Sequence, residues 1–163
     1  MSDQNEVPQG DVCYTFEAAI EMATKMEDEG FRAYLGALKI VKDKAAREIF
    51  KEAALDELEH KHQLEKALID GEMKGGGSLQ QPVPTMNLDY VLAKREVRPE
   101  MDAREALAYA IHLEKGSIEF YQRMSRGCEG APMAKIFQQM LADETRHLQS
   151  LEDLYECHFM AEN

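Results

Sequence analysis

Along four stretches of this chain, apolar and small residues recur at alternating steps of four and three, the spacing that lays one face of an α-helix into a bundle. The first face reads Phe16, Ile20, Ala23, Glu27, Gly30, Tyr34, Ala37, Val41, and the second Ala46, Phe50, Ala53, Glu57, His60, Leu64, Ala67. The third reads Ala103, Leu107, Ala110, Glu114, Ser117, Tyr121, Met124, and the fourth Met133, Phe137, Met140, Glu144, His147, Leu151, Leu154. The pattern predicts helices near 16–42, 44–70, 103–126 and 132–158, in stretches rich in Ala, Leu, Glu, Lys and Met. Thr15 and Asp102 stand where N-caps are needed, and Glu105 makes Asp102 part of a capping box. Asp43 marks the start of the second helix, and Pro132 suits the first turn of the fourth. Glycine and proline gather between the helices, in 71–99, which holds Gly75-Gly76-Gly77 and Pro82-Val83-Pro84, and in 127–132.

The chain also repeats itself. Thr15, Glu27, Tyr34, Phe50, Asp56, Glu57, His60 and Leu64 recur as Asp102, Glu114, Tyr121, Phe137, Asp143, Glu144, His147 and Leu151, at a constant offset of 87. All but the cap pair are identities. One helical hairpin has been used twice, which divides the chain into a flexible lead over 1–14 and a bundle over 15–158. The bundle comprises hairpin 15–70, connection 71–101 and hairpin 102–158. A connection of that length exceeds an ordinary bundle turn. It is expected to cross the length of the bundle, with a short helical piece at Leu88–Ala93.

Each apolar face is broken near its middle by a glutamate, and in the second and fourth a histidine follows one turn later. Glu27 and Glu57 lie equally far from the turn near position 42, as do Glu114 and Glu144 from position 129. At about 1.5 Å per residue, both pairs reach one level, roughly 22 Å from their turns. Four carboxylates and two imidazoles therefore converge in the core. Burying such a cluster uncompensated costs several kcal/mol per charge. It must be relieved by protonation, with strongly raised pKa values, or by cations. Two divalent ions balance four glutamates while neutral imidazoles complete the shell, and this oxygen and nitrogen set without thiolate favours iron or manganese, with zinc as an alternative. Glu59 and His62 repeat the spacing but fall on a solvated stripe with Glu52, Leu55 and Lys66, and are excluded as a ligand pair. His112 and His158 have no comparable glutamate and are placed at the surface or the edge of the core.

Composition narrows the partners. The 163 residues carry 31 acidic side chains against 19 Lys and Arg, a formal charge of -12. That balance argues against nucleic acid, whose phosphates need cationic partners, and against an anionic membrane surface. No run approaches the roughly 20 apolar residues of a membrane span, and Met1 to Val12 lack the apolar segment of a secretory signal. Cys13, Cys128 and Cys157 form no C-x-x-C pair, so neither a rubredoxin nor a zinc-ribbon site arises from this chain. Free thiols in a reducing cytoplasm are the expectation.

One glutamate from each of two helices, with Glu-x-x-His from each of the other two, resembles the ferritin-like di-iron carboxylate constellation. Over about 16–158 the chain looks most like rubrerythrin-type domains. The resemblance rests on Glu27 with Tyr34, Glu114 with Phe120-Tyr121, Asp56-Glu57-Leu58-Glu59-His60, and Asp143-Glu144-Thr145-Arg146-His147. It implies an all-α ferritin-like four-helix bundle with two iron ions held by Glu27, Glu57, His60, Glu114, Glu144 and His147, Glu57 and Glu144 being suited to bridging. It further implies that Asp56 and Asp143 each hold a ligand histidine of the opposite hairpin, and that Tyr34 and Tyr121 bond a ligand carboxylate across the core.

The implied activity is an oxidoreductase acting on hydrogen peroxide or dioxygen. Two other readings stand beside it: iron handling of ferroxidase type, and a bundle whose metals only stabilise the fold. With no rubredoxin domain, electrons are expected from a separate donor such as a rubredoxin, and a homodimer is expected by analogy. Rubrerythrins also place a further ligand glutamate one turn after the third-helix ligand. Here Ser117 stands there, and its repeat counterpart is Gly30.

Overall fold

The structure, a computed structural model, describes residues 13–72 and 81–160. Four long helices account for most of them: α1 (Phe16–Ile40), α2 (Lys44–Asp70), α3 (Ala103–Gly127) and α4 (Ala134–Tyr155). Among the described residues there is no strand, and no helix there is long and apolar enough to cross a membrane. The fold is an all-α four-helix bundle in which α1 packs on α2 and α3 on α4. The Gly75 run and most of the 1–14 lead lie outside the described residues.

Three caps set the helix starts. Thr15 Oγ1 accepts from the Ala18 amide at 3.3 Å, Asp43 from Ala46 at 2.9 Å and Asp102 from Glu105 at 2.9 Å. Glu105 does not return the bond of a capping box, because its carboxylate pairs with Arg98. At the other end of α1, Arg47 donates to the Val41 carbonyl at 3.0 Å, and Val41 turns the chain into an extended conformation. Pro132 is not in the first turn of α4 but in the turn before it. Gly130, at φ 82°, and the bonds from Ala131 N to Cys128 O and from Ala134 N to Ala131 O make residues 128–134 a tight connection, so α4 starts at Ala134.

The core comprises three apolar clusters, and two of them show the repeat. One gathers Tyr34, Phe50, Ala53 and Ala110, and the other Tyr121, Phe137, Leu64 and Met140. The repeat is visible in their geometry: Tyr34 and Phe50 lie 6.1 Å apart at 34°, Tyr121 and Phe137 6.3 Å apart at 33°. Leu154, placed on the apolar face by its spacing, is 42% exposed near the end of α4.

A stripe on α4 holds the 71–101 connection. Thr145 Oγ1 accepts from Val83 N, Gln149 donates to the Pro84 carbonyl, and the buried Glu152 accepts from Met86 N at 2.9 Å and Leu88 N at 2.8 Å. A single 3₁₀ turn, Leu88–Tyr90, stands where a longer helical piece was expected, since Glu152 fixes only its first amides. Farther on, Lys42 N donates to Pro99 O, so the connection ends beside the α1–α2 turn. It therefore crosses the bundle from end to end.

The cysteines depart from expectation. Cys13 and Cys128 form a disulfide, with Cα atoms 4.7 Å apart, while Cys157 is a free, exposed thiol. The segment preceding α1 reaches the α3–α4 turn at the same end of the bundle, and that proximity is set by tertiary packing rather than by any local cysteine spacing.

Candidate metal centre

Between the two repeat-related apolar clusters lies a polar layer. Glu27 on α1, Glu57 and His60 on α2, and Glu114 and Glu144 on α3 and α4 are each at most 4% exposed. His147, also on α4, keeps 27% of its side chain exposed. The seven-residue rhythm of each helix turns these positions inward, and the equal distances from the turns bring them to one height.

Ligand atoms of Glu27, Glu57 and Glu144 lie within 4.8 Å of one another, as do those of His60, Glu144 and His147. The two sets share Glu144. The imidazoles of His60 and His147 stack with centroids 4.9 Å apart and an 11° tilt. His60 Nδ1 approaches Glu144 Oε1 at 2.9 Å and Glu27 Oε2 at 3.6 Å. Neither approach has hydrogen-bond direction, for His60 Nδ1 and both Glu144 oxygens are buried without a partner.

Two tyrosines cross between the hairpins. Tyr121 Oη donates to Glu27 Oε1 at 2.6 Å, and Tyr34 Oη donates to Glu114 Oε1 at 3.2 Å. Each hydroxyl thus orients one carboxylate and leaves its second oxygen, Glu27 Oε2 or Glu114 Oε2, without a partner. Burial, together with these carboxylates, pushes both phenols well above their ordinary value, so they remain donors.

Without cations the layer can exist only by redistributing protons. Burial and the neighbouring Glu27 and Glu114 push the Glu57 carboxyl far up. Burial and Glu114 do the same to Glu144. Burial also works against Glu27, but the adjacent Glu57 carboxyl and His60 imidazole, with the Tyr121 hydroxyl bond, outweigh it and hold Glu27 down to about 2. His60 is desolvated too, yet Glu27 beside it raises its pKa. In the metal-free layer Glu27 is thus ionised beside the protonated Glu57 and Glu144.

The donor set fits two cations. Buried acceptor atoms on all four glutamates, with Nδ1 of both His60 and His147, point into one layer without hydrogen-bond partners, although buried polar atoms are normally paired. Oxygen and imidazole nitrogen without thiolate suit iron, manganese or zinc.

The surrounding acids differ from one another. Asp56 Oδ2 is 4.0 Å from His147 Nε2, longer than a direct bond. Asp143 is engaged by Arg146 on its own helix. Ser117 is buried and donates weakly to the Leu113 carbonyl at 3.5 Å. At Gly30 an added Cβ would lie 3.0 Å from Glu57 Oε2, so the absence of a side chain gives that carboxylate its place. Glu59, His62 and His158 are exposed, and His112 bonds the Leu92 carbonyl at 2.7 Å, all apart from the layer. Sequence reasoning missed the α4 stripe of Thr145, Gln149 and Glu152. Its own four-three spacing, offset from the apolar face, was the available signal.

Residues 105–163 match the family model described as Rubrerythrin. No curated protein and no solved structure matches the chain. The matched segment contains nearly all of α3 and the whole of α4, with Glu114, Glu144 and His147, while the first hairpin carries the repeated counterparts Glu27, Glu57 and His60. The match covers the second hairpin alone, and the all-α four-helix bundle is consistent with a rubrerythrin-type ferritin-like domain.

Proposed function

We propose that this chain is a di-iron oxidoreductase that reduces hydrogen peroxide, or dioxygen, with electrons from a separate donor protein. The observation that carries this reading is the set of partnerless buried acceptors contributed by Glu27, Glu57, Glu114 and Glu144 together with Nδ1 of His60 and His147. Two bound iron ions would supply two electrons at one point, the number that takes one hydrogen peroxide and two protons to two waters. Glu27, Glu57, His60, Glu114, Glu144 and His147 would hold them. Tyr34 and Tyr121 orient Glu114 and Glu27 through their hydroxyls, so those carboxylates need little rearrangement. Phe50 and Phe137, fully buried, help close the apolar clusters on either side and keep bulk water from the layer. Asp56, half exposed, lies 4.0 Å from the His147 imidazole.

Anaerobic loading with Fe(II), metal analysis, and rapid mixing with peroxide or with air test this reading. About two iron ions per chain are expected, with peroxide oxidising them faster than air. Failure to take up iron, or a loaded protein inert to both oxidants, would overturn it. Continued oxidation of excess Fe(II) into mineral would replace it with iron handling of ferroxidase type.

A further inference from the structure

The repeat predicts two equivalent approaches to the polar layer along the α2–α4 face, one on each side of the His60–His147 stack. The structure shows one of them open, on the His147 side. A cleft of about 120 Å³, lined by Ala53 and Asp56 of α2 and Leu151 and Leu154 of α4, reaches Glu114 and His147. That is room for a few water-sized molecules.

The counterpart positions are buried. Met140, fully buried, stands where the repeat has Ala53, and the buried Ala67 stands where it has the 42% exposed Leu154. Asp143 is 19% exposed and tied to Arg146, whereas the side chain of Asp56 is 51% exposed. The repeat counterpart of Arg146 is Glu59, which cannot pair with Asp56. The imidazoles record the outcome: His147 is 27% exposed and His60 5%.

We propose that small oxidants, hydrogen peroxide above all, enter the centre through the Ala53 cleft on the His147 side, and that the methyl group of Ala53 sets the width of the passage. The proposal rests on the di-iron reading for its substrate and on the cleft alone for its route. A methionine at position 53 would match the buried Met140 on the other side. Its flexible thioether can occupy the cleft without displacing packed neighbours.

The test uses the full chain in two forms. In the metal-free form, diethyl pyrocarbonate labelling with peptide mass mapping reads access to each imidazole. His147 is expected to label faster than His60, and Ala53→Met to slow His147 by about tenfold, as a packed interior excludes the reagent. In the iron-loaded form, Ala53→Met is expected to retain its iron yet react with peroxide about tenfold more slowly. Unchanged His147 labelling, or an unchanged peroxide rate at full iron content, would overturn the cleft as the route. A protein that takes up no reactive iron fails the functional reading instead, and the labelling still decides the cleft. If Ala53→Met does not fold, Ala53→Val supplies the same comparison, and equal labelling of His60 and His147 in the unmodified chain is itself refuting.

Discussion

At the scale of single residues, the polar layer depends on what is left out as much as on what is present. Gly30 sits in the middle of α1, where glycine costs a helix about 1 kcal/mol relative to alanine. It is retained where a Cβ would crowd Glu57 Oε2. Gly30→Ala is therefore expected to raise the melting temperature of the metal-free protein while weakening iron binding by about tenfold, because it moves a carboxylate proposed as a ligand. Thermal unfolding and a metal titration on the same sample check both halves, and tighter binding would refute the argument. The glutamates were legible in the sequence because an acid on an apolar face conflicts with burial. The difference between Ala53 and Met140 was not. Both are ordinary residues for a helix face, and only the folded structure shows that one lines a cleft and the other is fully buried.

At the scale of elements, helix extents followed from periodicity and caps, since hydrogen bonding within a helix is local. The path of the connection did not, because irregular backbone takes its bonds from wherever the fold offers them. Glu152 is the clearest case: a buried carboxylate whose partners are the amides of Met86 and Leu88. An acid one face away from the apolar seam reads as solvated until those amides are seen. Glu152→Ala removes two bonds to a charged acceptor and leaves both amides unsatisfied. It is expected to cost about 3 kcal/mol, measured by urea unfolding, with faster hydrogen exchange at Met86 and Leu88. Exchange unchanged at those two amides would show that the connection is held elsewhere.

At the scale of the whole molecule, the layer couples folding, pH and metal. Glu57 and Glu144 keep protons in the folded metal-free chain above the ordinary carboxylate value of 4.5, where the unfolded chain has released them. Above 6.5, His60 adds to this in the same direction. The folded state then binds more protons than the unfolded one, so stability falls as pH rises through this range. Glu27 acts oppositely, but only between about 2 and 4.5. The metal-free protein is expected to melt at progressively lower temperature from pH 5 to 8. Iron loading should release about two protons per chain and remove that slope. A metal-free melting temperature that rises over the same interval would contradict the charge distribution described for the layer.

The bond between Cys13 and Cys128 makes a covalent ring that contains the whole first hairpin, the connection and α3. Such a closure restricts the unfolded chain by about 4–5 kcal/mol in the loop-entropy treatment, so a thiol reductant should lower the melting point. The ring also has a topological effect. Trypsin cutting only after the exposed Lys94 or Arg95 would sever the peptide chain without parting the hairpins. One band should run on a non-reducing denaturing gel and two after reduction. Two bands without reductant would show that the sulfurs are not joined.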